Sequence, residues 1–172
     1  MKFFLPPFLL FIFISCNSVN EKNGTGGIIR HINRPAFELQ YPANWHIDSL
    51  DTDYDIDSYF SIIAPVDDGV SIFVIYNIPV DEQEQVSGQV KAHLEKIMKN
   101  GSVSYFSNWG SLKGHGAIIK GKTMGVWKGE VKIFCHSSDS CSFLNVSQYL
   151  DRDQEKVLPG FHLIESSFKL KK

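Results

Sequence analysis

The chain has 172 residues, of which 43% are hydrophobic and 21% charged, and 17 Lys and Arg against 19 Asp and Glu give a net charge of -2. This length and composition predict one globular domain rather than a disordered chain. The near-neutral charge excludes the strongly cationic face that tight, sequence-independent nucleic-acid binding requires. Three cysteines are too few for a disulfide-built scaffold, and they match no zinc site with paired Cys-x-x-Cys spacing.

The N-terminus has the pattern of an export signal. Lys2 precedes an apolar run over residues 3–14, which is shorter than the roughly 20 residues that cross a bilayer as a helix. The run ends in Ser15 and Cys16, and this ending resembles the lipobox of bacterial lipoprotein signals. The resemblance implies removal of a signal peptide over residues 1–15, lipidation of Cys16, and attachment to a lipid bilayer of the bacterial envelope, facing the periplasm at the outer membrane. An ordinary secretory signal that leaves Cys16 as a free thiol is the alternative.

A flexible tether is predicted to follow the signal. Residues 16–34 are interpreted as the lipidated cysteine and this tether, because residues 17–27 contain three glycines and Val19 as their one apolar residue. Such a segment cannot bury enough apolar surface to fold. The globular domain is therefore predicted to span residues 35–172.

The domain is predicted to open with an alternating strand over residues 36–41, followed by an acidic loop. Alternating carboxylates can supply several of the six to eight oxygens that calcium takes, so the last four aspartates of this loop form a candidate calcium site. Ile56 and Ile62 stand where an EF-hand has Gly and Glu, which excludes that motif. A solvated acidic loop, or a docking surface for a basic partner, is the alternative. The aspartates of the loop are Asp48, Asp51, Asp53, Asp55 and Asp57.

An amphipathic helix is the clearest element of the central part of the chain. Strands over residues 60–64 and 70–78 precede it, and residues 81–84 have capping-box chemistry at its start. Asn100 and Gly101 are predicted to stop the helix, which should pack on the sheet. Its apolar stripe consists of Val86, Val90, Leu94, Ile97 and Met98.

The second half of the chain returns to strand patterns. Alternating runs over residues 103–109, 117–120, 125–134 and 142–150, joined by short Gly or Ser breaks, predict antiparallel pairing. A short polar helix is predicted to begin at residues 151–155, and Pro159 to open another turn. Apolar residues 161–164 and Phe168 would then dock on the sheet.

Residues 116–123 match the letters of a nucleotide-binding P-loop. A P-loop must run from a buried strand through a loop into a helix, whereas Ile118 and Ile119 occupy the middle of this segment and a strand pattern follows it. We therefore expect no nucleotide site. Gly121 and Lys122 are predicted to turn a hairpin.

Cys135 and Cys141 flank a polar cluster over residues 136–140, between two strand-like runs. Such a loop would leave the two cysteines facing one another across a hairpin, which a disulfide can bridge if the side chains share a face. Export to an oxidising compartment permits the bond. A structural disulfide is predicted, in preference to a reactive thiol pair.

No motif for catalysis was found. The sequence lacks the Gly-x-Ser-x-Gly elbow of a nucleophilic serine, and its scattered histidines lack metalloprotease spacing. Tyr41, Trp45, Trp109 and Trp127 could line a ligand groove but are expected to seal the core. We predict no catalytic residue and no cofactor, with calcium as the one metal considered. The histidines are His31, His46, His93, His115, His136 and His162.

Four features together resemble the PsbP-like superfamily: residues 37–45 with Tyr41, Pro42 and Trp45, the midchain helix, the glycine-punctuated hairpins, and the ending over residues 164–170. That superfamily includes photosystem accessory subunits, a Ran-binding import factor and many small bacterial lipoproteins. The resemblance implies an α+β fold, an α/β/α sandwich in which helices flank an antiparallel sheet, and a non-enzymatic binding or assembly role. A different α+β fold with similar strand spacing is the alternative.

These features together predict a membrane-anchored periplasmic lipoprotein that binds a protein partner or assists envelope assembly without catalysis. The competing class is a receptor for a small ligand or a divalent cation, using the loop over residues 48–57. A hydrolase is a third class, for which no motif argues.

Overall fold

A computed structural model of the chain describes residues 27–35, 37–48, 59–66, 69–76, 80–123, 125–138 and 141–171. In chain order the elements are β1 (Ile29–Asn33), β2 (Phe37–Pro42), β3 (His46–Asp48), β4 (Tyr59–Ile63), β5 (Gly69–Tyr76), α1 (Val80–Ile97), β6 (Met98–Trp109), β7 (Leu112–Thr123), β8 (Trp127–Ser138), β9 (Cys141–Leu150), a 3-10 turn (Asp151–Asp153), α2 (Gln154–Ser167) and β10 (Lys169–Leu170).

Ten strands form two antiparallel sheets within the described residues. The larger sheet has the order β3-β4-β5-β9-β8-β7-β6, and the smaller has the order β1-β2-β10. Short connections join β6, β7, β8 and β9 as successive hairpins, as the alternating runs predict. The pairing of β5 with β9 joins this meander to the first strands of the large sheet, and it spans a long stretch of sequence.

Alternation along the strands gives the large sheet two buried faces. In β8, Ile133 packs in a cluster with Leu94 of α1, whereas its neighbour Phe134 packs with Ile164 of α2 and Phe37 of β2. Helix α1 therefore covers one face, and α2 with the small sheet covers the other. The predicted α+β architecture, an antiparallel sheet flanked by helices, is confirmed.

The two segments that carried the family resemblance lie close together. Tyr41 in β2 and Trp45 just after it are both buried, and Phe168 stacks on Phe37 with 5.8 Å between ring centroids. Ser167 accepts a hydrogen bond of 2.8 Å from the backbone amide of Gln40. The start and the end of the folded region are therefore packed into one core.

The folded region begins earlier than predicted. β1 pairs with β2 over Ile29–Asn33, and Ile32 is buried. A flexible tether reaching to residue 34 is therefore wrong over the residues of β1, because β2 supplies both hydrogen-bond partners and a buried face that local composition does not reveal. Residues 16–26 lie outside the described part of the chain.

The residues with P-loop letters lie within β7, paired on both sides, and not in a loop that leads into a helix. The predicted hairpin turn at Gly121 and Lys122 is wrong, because Gly121 lies opposite Gly129 in β8 and the strand continues to Thr123. The turn falls at Gly125, whose φ of 75° suits glycine. Glycine suits position 121 because there is little room for a side chain, since a Cβ there would lie 3.0 Å from the carbonyl oxygen of Met98.

Both helices differ from prediction at their ends. Helix α1 is confirmed, but it passes into β6 at Met98 before the predicted stop, and Asn100 with a φ of 62° lies at a shift in the β6–β7 register. Helix α2 is one element with Pro159 inside it, rather than a short helix and a separate turn. Burial of Val157 and Ile164 along one side of α2 explains its continuity. No helix within the described ranges has the length and apolar character needed to span a membrane.

Candidate functional site

A cleft of about 140 Å³ lies between α2 and the face of the large sheet that α2 covers. Strands β6 to β9 form one wall and α2 forms the other. Its lining combines apolar and polar side chains: Trp109, Ile118, Glu130, Lys132, Asn145, Ser147, Tyr149, Leu158, Phe161, His162, Ile164 and Glu165.

The polar residues of the sheet wall come from alternate positions of two neighbouring strands. Lys132 of β8 lies opposite Ser147 of β9, and Glu130 lies opposite Tyr149. Since directly opposed residues point to the same face of a sheet, these side chains share the face toward α2. Asn145 lies two residues before Ser147 and belongs to the same face.

Close contact between α2 and the Trp45 region fixes the helical wall. A Cβ on Gly160 would lie 2.3 Å from Cζ2 of Trp45, so only glycine permits this approach. The ring of Phe161 meets Trp45 edge-on at 5.5 Å between centroids. The helix therefore rests on the core beside the cleft.

Glu165 connects the two walls. Its carboxylate accepts hydrogen bonds from Lys132 Nζ at 2.8 Å and from the backbone amide of Gly110 at 3.2 Å. Lys132 Nζ also lies 4.9 Å from the ring centroid of Phe106, a cation–π distance. Lys132 and Glu165 thus neutralise each other within the protein.

Glu130 is also paired, with Lys120 at 2.9 Å. Tyr149, opposite Glu130, is buried, and this burial, together with the negative charge of Glu130, raises the pKa of the Tyr149 phenol to about 12. Tyr149 is therefore a neutral hydroxyl at physiological pH.

Asn145 is the exception in this wall, because it has polar atoms without partners. Its side chain is 1% exposed, and among the described residues neither its amide nitrogen nor its amide oxygen has a hydrogen-bond partner. An unmade hydrogen bond on a buried polar group costs about 1–3 kcal/mol. The inner end of the cleft thus holds an unused donor and an unused acceptor side by side.

The cleft can bind an uncharged polar group against apolar walls. Its charged residues Lys132, Glu165 and Glu130 are committed to ion pairs, and Asn145 neither titrates nor acts as a nucleophile. Within the ranges that the structure describes, no three His, Cys, Asp or Glu side chains come together as a metal site would require.

Two of the predicted sites lie outside the described residues. Cys16 belongs to residues 1–26, and the candidate calcium ligands Asp51, Asp53, Asp55 and Asp57 belong to residues 49–58. Asp48 is the last residue of β3. Lipidation and calcium binding therefore stay predictions.

The predicted disulfide between Cys135 and Cys141 is not formed, and Cys135 is a free cysteine. The register pairs Cys135 with Leu144 and Cys141 with Ser138, which places the two cysteine positions three residues apart along the hairpin and on opposite faces of the sheet. Strand β8 extends to Ser138, beyond the predicted loop start, and this extension moves the turn. Burial raises the pKa of the Cys135 thiol to about 11, opposed by a hydrogen bond with Ser87.

The aromatic residues separate into two groups. Tyr41, Trp45 and Trp109 are buried in the core, as expected, whereas Trp127 is 42% exposed at the start of β8. The cleft itself was not predicted from the sequence. Its available signal is the alternation of polar residues in β8 and β9, which is equally typical of a strand with one face in water.

Comparisons with known proteins support the fold. No family model and no curated protein sequence matches the chain. Among solved structures, the chain is similar to cyanobacterial PsbP (CyanoP) from Synechocystis, with a TM-score of 0.52, 11% identity, and coverage of 88% of this chain and 98% of that one. It is similar also to LpqN of Mycobacterium tuberculosis, with a TM-score of 0.52, 15% identity, and coverage of 84% and 91%. The chain therefore has a PsbP-like fold.

Proposed function

We propose that the protein is a lipid-anchored accessory of the bacterial envelope, facing the periplasm at the outer membrane, that binds a partner without catalysing a reaction. The lipobox pattern ending in Cys16 supports the anchor. The fold supports the accessory role, since it is shared with LpqN, which is described as involved in cell envelope biogenesis.

The proposed binding role rests on the cleft between α2 and the large sheet. Its residues Lys132, Glu165 and Glu130 form internal ion pairs, and among the described residues the side-chain amide of Asn145 has no hydrogen-bond partner. Ser147, Tyr149 and His162 complete its polar lining. Paired charges are poorly suited to exchange protons with a substrate, whereas a buried donor and acceptor gain hydrogen bonds when a partner group enters. Asn145 lies at the inner end, so an entering group must part the neighbouring side chains to reach it.

A receptor for a small ligand is the second candidate function, and Asn145 favours this too. A compact uncharged group with a donor beside an acceptor, such as an amide, would satisfy both atoms of its side chain. The calcium version of this proposal uses the loop over residues 48–57. Saturable thermal stabilisation by calcium, lost in the Asp53→Asn/Asp55→Asn variant, would support that version, and an unchanged melting temperature would contradict it.

Photocrosslinking in the native envelope tests the cleft as a binding site. A photoreactive amino acid replaces His162, which is exposed at the cleft, or His93, which is exposed on α1 and serves as the control. We expect an adduct from position 162 that is absent from position 93. The adduct should disappear when Asn145→Leu removes the amide from the inner end of the cleft.

Identical adducts from both positions, or an adduct that survives Asn145→Leu, would contradict a partner site in the cleft. The mass of the adduct distinguishes the two candidate functions. A gain of several kilodaltons indicates a protein partner, and a gain of a few hundred daltons indicates a small ligand.

A further inference from the structure

The turn between β7 and β8 presents apolar side chains to solvent. Val126 is 68% exposed and Trp127 is 42% exposed, whereas Trp45 and Trp109, the other tryptophans of the chain, are each 3% exposed. Gly125, with its φ of 75°, makes the turn tight and places Val126 at its end. Isolated exposed apolar residues are common on protein surfaces, so this tip alone decides nothing.

A row of lysine positions crosses three strands directly behind the tip. Lys99 of β6 lies opposite Lys122 of β7, and Lys122 lies opposite Lys128 of β8. Like charges directly opposite one another destabilise a sheet. Lys122 and Lys128 are exposed, and neither belongs to an ion pair among the described residues. Within the described part of the chain, the positive charges of Lys122 and Lys128 therefore have no compensating carboxylate.

The distance between the apolar tip and the lysine row suits a membrane interface. Lys122 and Lys128 are one residue pair behind Thr123 and Trp127, a separation of about 3.4 Å along the strands. Tryptophan favours the boundary between headgroups and acyl chains, and lysines just above it reach the phosphate groups of anionic lipids.

A second exposed aromatic residue provides a contrast within the same sheet. Tyr105 of β6 is 72% exposed, but Lys91 donates a hydrogen bond of 2.7 Å to its hydroxyl and lies 4.6 Å from its ring centroid. The cation and the aromatic ring there are partners of each other. At the hairpin tip, the described structure offers no such partner to Lys122 or Lys128.

We propose that this hairpin tip, Val126 and Trp127 with Lys122 and Lys128 behind them, docks on the surface of an anionic lipid bilayer. The proposal rests on the proposed attachment of the chain to a membrane and adds a second contact that orients the domain. A bilayer fits better than a protein partner, because two apolar side chains are far short of the roughly 800 Å² that each partner buries in a stable protein interface. Shallow insertion into lipid needs only a few side chains when positive charge assists it.

Depth-dependent fluorescence quenching tests the proposal on the full chain reconstituted in lipid vesicles. The vesicles contain phosphatidylcholine with phosphatidylglycerol, and their acyl chains carry bromine, which quenches tryptophans at the interface. Trp127→Phe gives the background from the two buried tryptophans. The matched control adds Tyr105→Trp to that variant, so that an exposed tryptophan lies on the same sheet away from the tip.

We expect quenching in the natural sequence and none above background in Trp127→Phe or in the Tyr105→Trp control. Each lysine near an anionic surface strengthens binding about fivefold, so Lys122→Gln/Lys128→Gln should lower the ratio of docked to undocked domain about 25-fold. Added salt should weaken docking in the same direction.

Absence of quenching at Trp127 in a chain that floats with the vesicles would overturn the proposal while leaving the anchor intact. Equal quenching in pure phosphatidylcholine vesicles would overturn the role of the lysines. A chain that fails to float with the vesicles would overturn both the docking and the proposed attachment.

Discussion

Replacing Gly160 by alanine should destabilise the protein, although alanine is the better helix former. The added Cβ would lie 2.3 Å from Cζ2 and 2.7 Å from Cη2 of Trp45, far closer than side-chain carbons approach one another. Trp45 is 3% exposed and packs edge-on against Phe161, so its ring has no free space into which to move. Alanine gains about 1 kcal/mol in helix propensity, while forcing a side chain into a packed core costs about 1–3 kcal/mol. We expect a net loss of about 1–2 kcal/mol, since a contact this short lies at the severe end of that range.

Urea unfolding followed by far-ultraviolet circular dichroism measures this loss as a lower midpoint at unchanged slope. Gly88→Ala is the matched control, because Gly88 is exposed in α1 and a Cβ there meets nothing within 4 Å. The same substitution should therefore raise stability by about 0.5–1 kcal/mol in α1 and lower it in α2. If both variants were stabilised alike, α2 would not lie against Trp45, and the helical wall of the cleft would be wrongly placed.

Three further predictions concern polar groups. Asn145→Leu should raise the free energy of unfolding by about 1–3 kcal/mol in urea titrations, because it removes two buried polar atoms that have no partners among the described residues. The neighbouring cleft accepts the larger side chain. A clear loss of stability would show that the Asn145 amide makes hydrogen bonds in the folded protein. Glu165→Gln should lower stability by about 1 kcal/mol, since its ion pair with Lys132 is half-buried, and an unchanged midpoint would contradict a stabilising role for the pair. Cys135 should react with iodoacetamide at pH 8 about a hundredfold more slowly than in the urea-unfolded chain, since burial raises the pKa of its thiol to about 11. The stability due to the neutral thiol is present below pH 9 and is lost as the pH rises toward 11. Equal alkylation rates in the native and unfolded chains would refute the burial of this thiol.

Local patterns predicted the elements and the packing of the chain ends well. The apolar stripe of α1 brings Val90 and Leu94 onto the sheet, and alternation located the core strands of both halves. The residues that resembled the PsbP-like superfamily, including Trp45 and Phe168, lie in the shared core. Such patterns succeed because each one reports which face of a single element avoids water.

Features that depend on pairing between distant segments could not be read from the sequence. Polar alternation at Glu130 and Lys132 is typical of a strand with one face in water, yet α2 crosses that face and Glu165 neutralises Lys132. The position of the β8–β9 turn depends on register, and a shift of the turn moved Cys135 away from Cys141. The cleft exists because α2 crosses this face of the sheet, and Asn145 lines the cleft because the β8–β9 register places it on that face.

Mass spectrometry of the N-terminal peptide, isolated from the membrane fraction of the native host, tests the proposed envelope attachment most directly. We expect a mature chain that begins at Cys16 and carries acyl chains on that residue. A chain that begins elsewhere, or that carries an unmodified Cys16 thiol and is found in the soluble fraction, would contradict it.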